Sequence, residues 1–162
     1  MEKLVYIWLN DDYQAIIDAN DFDLVSRYNW GASERIYKQK NKCYAVTVHN
    51  TNILSLHRLL MNPPPDMEVD HINGESLDNR RCNLRLATSS QNSMNIGIRS
   101  NNKTGYKGVS AGNGGYRACI QFQGIAISIG YYATAIEAAK AYDDSARKLH
   151  KEFAWLNFPD DP

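Results

Sequence analysis

Asp70 and His71 stand side by side in Val69-Asp70-His71-Ile72-Asn73-Gly74, and Asn83 and Asn92 follow them. A carboxylate (Asp70) and an amide oxygen (Asn92) are hard donors, suited to one Mg²⁺-like ion that keeps most of its waters. His71 adds the side chain whose ordinary pKa lies nearest neutrality, as a general base requires. Such a set fits phosphodiester hydrolysis. That reaction needs a nucleophile made from water, stabilisation of the charged phosphorus and help for the departing 3′ oxygen. Two protein ligands are a thin set, so phosphate and waters must complete the octahedron and metal affinity without DNA should be weak. Asn95, one helical turn past Asn92, is the alternative ligand. An Asp-His pair alone is more often a turn or a salt link, and the two asparagines downstream are what raise it to a candidate site.

The elements that must position these residues follow from the flanking pattern. Met67 to Ile72 reads as a short strand, Asn73-Gly74 as a tight hairpin-type turn, and 76–83 as a polar loop. Leu84 to Ala87 reads as a second strand, and Thr88 or Ser89 as the cap of a helix carrying Gln91, Asn92 and Asn95. Upstream, Lys3 to Leu9 is a strand and Asp21 to Tyr28 a short helix capped by its own acids. Ile36 to Lys40 pairs with Tyr44 to His49 across an Asn41-Lys42 turn. Ile53 to Met61 has helical spacing, stopped by Pro63-Pro64-Pro65.

Downstream, Ile98 to Thr104 reads as a polar linker. Tyr106 to Ser110 is then a strand. In Tyr116 to Gln123, Tyr116, Ala118, Ile120 and Phe122 share one face, and Arg117, Cys119, Gln121 and Gln123 the other. Ile125 to Ile129 continues that pattern after Gly124. Thr134 with Glu137 is a capping box opening a helix to about His150, whose Ala138, Ala139, Tyr142, Ala146 and Leu149 form an apolar stripe.

A chain of 162 residues holds one ordinary domain or two small ones, and 43% hydrophobic content argues for a folded protein. No apolar run suggests a membrane span or a secretion leader. Cys43, Cys82 and Cys119 form no C-x-x-C pair, so neither a zinc knuckle nor a disulfide framework is expected, and a cytoplasmic setting is. The net charge is zero, yet its distribution favours nucleic acid. No Asp or Glu lies between Asp78 and Glu137, where Arg80, Arg81, Arg85, Arg99, Lys103, Lys107 and Arg117 occur. A second acid-free stretch, from Glu34 to Asp66, holds Arg35, Lys38, Lys40, Lys42 and Arg58. Arg80, Arg81 and Arg85 could grip phosphates beside the Asp-His pair. His57 reads as a structural histidine beside Arg58 that could also face the site; His49 and His150 read as residues without a role.

The series Asp70-His71, Asn83, Asn92 resembles the ββα-metal motif of HNH endonucleases. The variant is that of phage intron-encoded homing enzymes, in which Asn stands for the last letter. Leu56-His57-Arg58-Leu59-Leu60-Met61-Asn62-Pro63-Pro64 is similar to the lead-in of that subgroup. The resemblance implies metal binding by Asp70 and Asn92, base catalysis by His71, and a structural task for Asn83 in tying its loop back near His71. The implied cofactor is a single Mg²⁺ or Mn²⁺ ion.

Tyr106-Lys107-Gly108-Val109, Gly130-Tyr131-Tyr132, Glu137-Ala138-Ala139-Lys140-Ala141-Tyr142-Asp143 and Leu156-Asn157-Phe158-Pro159 resemble the AP2 DNA-binding domain. That implies a sheet face entering the major groove, with Lys107 and Arg117 as phosphate or guanine contacts and Gln121 as an adenine reader. Cys119, Gln121, Ala126 and Ser128 replace base-reading arginines and a tryptophan of plant members, so the recognised sequence does not carry over.

The expectation is an α+β chain in two parts. Residues 1–97 form an N-terminal ββα-metal nuclease domain with its core at about 67–97, 98–104 a linker, and 105–160 an AP2-like three-stranded antiparallel sheet packed on one helix. The expected partner is double-stranded DNA, with no membrane and no small-molecule substrate, and the compartment is a bacterial cytoplasm if the gene is phage-borne. A monomer has one active site, so nicking to 5′-phosphate and 3′-hydroxyl is expected over double-strand cleavage; a dimer is left open. The rival readings are a DNA-binding regulator with an inactive HNH core and a sequence-tolerant DNA-processing nuclease. An RNA target lacks an aromatic platform.

Overall fold

The computed structural model describes residues 3–37 and 40–160. The chain folds as two compact units, Met1–Ser89 and Ser90–Pro162. Both mix small antiparallel sheets with few helices. Among the described residues no helix is long and apolar enough to cross a membrane.

In the first unit, β1 (Leu4–Trp8) pairs antiparallel with β2 (Gln14–Asp18). Strand alternation sends Val5 and Ile7 toward the core while Leu4, Tyr6 and Trp8 stay exposed. A 3₁₀ turn (Ala19–Asp21) leads into α1 (Phe22–Val25), shorter than the expected 21–28 helix. Asp21 occupies the N-cap position without a side-chain capping bond, because its carboxylate is drawn to Arg81. β3 (Gly31–Tyr37), β4 (Lys40–His49) and β5 (Asn52–Ser55) form a three-stranded sheet in that order.

Two turn assignments shift. Asn41 and Lys42, expected as a turn, are strand residues paired with Ile36 and Arg35, and 38–39 lie outside the described residues. Residues 52–55 are strand rather than helix, because Ile53 and its neighbours pair with β4. Only α2 (Leu56–Met61) is helical, ending on left-handed Asn62 (φ 41°) ahead of the prolines. Leu9, Ala15, Ile17, Val25, Trp30, Ala45, Leu56, Leu60, Val69 and Leu84 form the common core. The indole N–H of Trp30 is satisfied inside it by the Val25 carbonyl at 2.9 Å.

β6 (Glu68–His71) and β7 (Leu84–Ala87) make a two-stranded antiparallel ribbon. Asn73-Gly74 does not close it alone. The N–H of Gly74 (φ 77°) bonds the His71 carbonyl in a local turn, and the chain then runs through 75–83 before β7. That loop is braced by β2: Ile16 bridges Asp78, the Asn79 N–H donates to the Ile16 carbonyl (2.8 Å), and the Ile16 N–H donates to Leu77. α3 (Ser89–Met94) follows β7 and spans the division between the units.

The second unit orders β8 (Val109–Gly112), β9 (Gly115–Phe122) and β10 (Ile125–Tyr132) as β10-β9-β8, with α4 (Ala135–Leu149) packed on one face. Residues 98–104, expected as a linker, fall inside this unit. There the Asn102 carboxamide accepts from the Thr104 and Gly105 N–H groups and donates to the Tyr106 carbonyl. The first strand begins at Val109, later than the expected Tyr106, because Tyr106–Gly108 turn first; the Val109 N–H bonds the Tyr106 carbonyl. Both residues of the β9–β10 turn, Gln123 (φ 49°) and Gly124 (φ 79°), are left-handed, as a two-residue hairpin of matching twist needs. Thr134 and Glu137 form the reciprocal capping box at the start of α4. Its small residues Ala138, Ala139 and Ala146 are fully buried, which lets the helix lie close on the sheet. Buried Asp143 accepts from the N–H groups of Asn157 and Phe158 and from the Asn157 amide, anchoring the C-terminal Leu-Asn-Phe-Pro segment to the helix.

Gly108 marks the tightest approach. At φ +76°, an added Cβ would stand 2.0 Å from the Tyr142 ring and 2.8 Å from the Cys119 carbonyl oxygen. Gly108→Ala should destabilise the second unit by at least about 2 kcal/mol, from strain and overpacking together. Gly114→Ala, with the same sign of φ but open space around it, should cost about 1 kcal/mol. Urea unfolding of the two variants measures the difference.

Candidate active site

Asp70 and His71 close β6 with 5% and 6% of their surface exposed. The register sets Asp70 opposite Arg85 on β7, and the guanidinium Nε (2.8 Å) and Nη2 (2.6 Å) both donate to Asp70 Oδ2. With 15% of the Arg85 side chain exposed, the pair is largely buried. A carboxylate fixed in this way is preorganised for a ligand, since its rotamer is already locked.

Burial holds the His71 imidazole below its ordinary pKa of 6.5, and the amide of Asn79 partly offsets this. Its Nε2 lies 3.4 Å from Asn79 Oδ1. The rings of His57 and Tyr44 flank it, with centroids at 5.2 Å (edge to face) and 6.3 Å. His57 thus stands in the His71 neighbourhood. Its place at the start of α2 explains this, since Leu56 and Leu60 of the same helix are buried in the core that Val69 of β6 joins.

Asn83 closes the loop between β6 and β7. Its carbonyl accepts from the Ile72 N–H (2.9 Å) and its Oδ1 from the Asn73 N–H (3.0 Å). Its Nδ2 donates to Asn73 Oδ1 (2.9 Å) and to the Asp78 carbonyl (2.8 Å). The two residues after His71 are therefore tied across the base of the loop. Asp78 in turn accepts from the Asn73 amide and from Arg80, whose hydrogen bonds hold the carboxyl below the usual carboxylate range.

The three cations expected to grip phosphate here all face acids: Arg80 meets Asp78, Arg81 meets Asp21, and Arg85 meets Asp70. Charge spacing in the sequence does not reveal this, because two of the partners are far away along the chain. Nor does the sequence single out Asn79; an Asn in a polar loop reads as a turn residue. It is 1% exposed, and its Nδ2 has no hydrogen-bond partner among the described residues, a buried donor that costs about 1–3 kcal/mol.

In the second unit, Asn92 is half-buried on α3, and Asn95 is buried just past that helix, its N–H toward the Asn92 carbonyl (3.2 Å). A groove of about 830 Å³ is lined by Arg99, Asn101, Lys103, Lys107, Gln121 and His150 among others, with no Asp or Glu among the described lining residues. Arg99, Lys103, Arg117 and Gln121 are exposed. Lys107 differs from expectation: its ammonium donates to the Met94 carbonyl and lies 5.8 Å over the Trp155 ring. Burial, with the Arg99 charge nearby, lowers its pKa to about 8. His150 is buried too, and its Nε2 donates to the Gln121 carbonyl at 2.8 Å.

The family model described as HNH endonuclease matches residues 61–94, the stretch that carries Asp70, His71, Asn83 and Asn92. A protein of Acanthamoeba polyphaga mimivirus named as an uncharacterized HNH endonuclease is 34% identical over 149 residues, covering 88% of this chain and 74% of that protein. The chain belongs to the HNH endonuclease family. No solved structure matches it. As an HNH protein it is a DNA endonuclease, and the matched stretch contains the β6–loop–β7 unit just described.

Proposed function

We propose that the chain is a homing-type HNH endonuclease that hydrolyses a phosphodiester of double-stranded DNA with one bound Mg²⁺ or Mn²⁺, nicking one strand to 5′-phosphate and 3′-hydroxyl. The observation that carries this reading is the buried Asp70–His71 pair at the end of β6, with Arg85 holding the carboxylate and Asn83 closing the loop.

The donors fit a hard cation. Asp70 offers a rigidly held carboxylate, and Asn92 is assigned as the amide ligand. When bound, the ion supplies Lewis-acid stabilisation at the phosphate and at the departing oxygen. His71, kept neutral by its burial, takes a proton from the attacking water. Asn83 keeps the imidazole's loop in place, and Arg85 keeps Asp70 aimed.

The second unit is assigned as an AP2-like targeting module, supported by three antiparallel strands on one amphipathic helix. On the face away from α4, Arg117 and Gln121 surround the smaller Cys119, Ala126 and Ser128, so a DNA groove could approach closely. Exposed Arg99 and Lys103 are assigned to phosphate. Arg80, Arg81 and Lys107 contact DNA in this reading only by exchanging the partners they hold here, while Arg85 stays with Asp70.

Incubation of the protein with supercoiled plasmid and Mg²⁺ should yield open circles, and EDTA should prevent it. Linear product would point to paired active sites. Intact plasmid, followed by intact DNA carrying a selected high-affinity site, would favour a DNA-binding regulator. Arg117→Ala should weaken DNA binding and lower the slope of log affinity against log salt by about one unit, as loss of one phosphate contact requires. Titration by fluorescence anisotropy at several salt concentrations reads it.

A further inference from the structure

Asn79 is fully buried, keeps one amide hydrogen-bonding group without a partner among the described residues, and points its other end at the His71 ring. Its placement is not incidental. The Asn79 N–H is fixed to the Ile16 carbonyl (2.8 Å), the preceding carbonyl to the Asn83 amide (2.8 Å), and the preceding side chain to Asn73 (3.0 Å) and Arg80. Three parts of the first unit, β2, the turn after His71 and the end of the loop, therefore converge to set one carboxamide against one imidazole nitrogen. A residue present only to fill space would not need to retain an unpaired buried donor, whereas a residue whose oxygen has a task at His71 explains the retention.

We propose that Asn79 is the positioning residue of the catalytic base: its Oδ1 accepts from His71 Nε2–H, which fixes the imidazole tautomer and leaves Nδ1 as the nitrogen that receives the proton of water. A neutral imidazole carries one N–H and one lone pair, and the partner of the N–H decides which nitrogen is which. A partner on one ring nitrogen favours one tautomer and one ring orientation, and only one of these is productive. The 3.4 Å separation is long for a hydrogen bond, as catalytic contacts commonly are before substrate tightens them. No chemical step belongs to Asn79 itself. The proton passes from water to His71, the water oxygen bonds to phosphorus, and the bond from phosphorus to the 3′ oxygen breaks.

This assignment rests on His71 being the base, and two readouts separate the ideas. The first needs no DNA. In protein labelled with ¹⁵N-histidine, long-range nitrogen–proton correlation spectra at pH 7.5 report which ring nitrogen of each of the four histidines is protonated; the His71 signals are found by their loss in His71→Gln. Wild type should show the proton on Nε2, and Asn79→Ala should show a mixture of both tautomers. A proton on Nδ1 in wild type, or an unchanged Nε2–H tautomer in Asn79→Ala, overturns the proposal. The second readout is plasmid nicking. Asn79→Ala should lose about 100-fold in kcat, the size expected for a misplaced catalytic group, with DNA affinity unchanged. Asn79→Asp, which keeps an acceptor at the same place, should recover most of that loss. Equal impairment of both variants, each with a native-like spectrum, would also overturn it. If His71→Ala instead nicks like wild type, the base assignment is what fails, and the tautomer measurement still decides what Asn79 does.

Discussion

Replacing His71 with alanine is expected to slow DNA nicking by about 10²–10⁴-fold, the usual contribution of a positioned general base. DNA affinity should be unchanged, because the imidazole is buried and its direct partners are protein groups. The pH dependence follows from the direction of its shift. Burial lowers the His71 pKa from 6.5, so the neutral, proton-accepting form already predominates at pH 6.5. The rate should therefore hold through neutrality and fall only as pH drops below 6.5, where the ring protonates. Nicking rates at saturating enzyme between pH 5 and 8 provide the check. A limb centred clearly above 6.5 would mean that another group is the base.

The largest effect on stability should come from Arg85→Ala. Only 15% of the Arg85 side chain and 6% of the Asp70 side chain are exposed, so water cannot take over when the guanidinium is removed. Removing one member of a largely buried ion pair costs about 3–5 kcal/mol. Urea denaturation should show the loss. The double variant Asp70→Leu with Arg85→Met removes both charges and should recover most of the stability. It should nonetheless fail to nick DNA. Stability and catalysis then part company at one cross-strand pair, which separates a catalytic Asp70 from a merely structural one.

Most of the strands around this pair can be read directly from the sequence. Glu68–His71 and Leu84–Ala87 are short segments bounded by turn residues, and the alternation in Gly115–Phe122 is nearly strict. The capping box of Thr134 and Glu137 announces α4 for a local reason: both partners lie within one turn. What the sequence conceals depends on distant partners. Ile53 looks helical by spacing until its cross-strand neighbour Val48 is known. Asp21 looks like a helix cap until Arg81 claims it. Arg80, Arg81 and Arg85 look available to phosphate because sequence shows charges and not the carboxylates folded against them. Within the site, Asp70, His71 and Asn83 declare their chemistry by residue type. Asn79 does not, since an amide in a loop acquires meaning only from the ring placed opposite it.

The brace between β2 and the loop over 75–83 bears on how the motif comes to exist at all. Arg81 reaches Asp21 across 60 residues of chain, and its N–H reaches Asp18 across 63. The N-terminal hairpin leaves the ribosome well before the residues it must hold, and it waits for them. Closing so large a loop is slow, and the edge of the hairpin is exposed meanwhile. The segment matched by the family, 61–94, is thus expected to need the N-terminal hairpin to hold its loop. A shortened protein or a graft onto another scaffold would have to bring the first two strands along, or supply a substitute for them, to inherit a working loop.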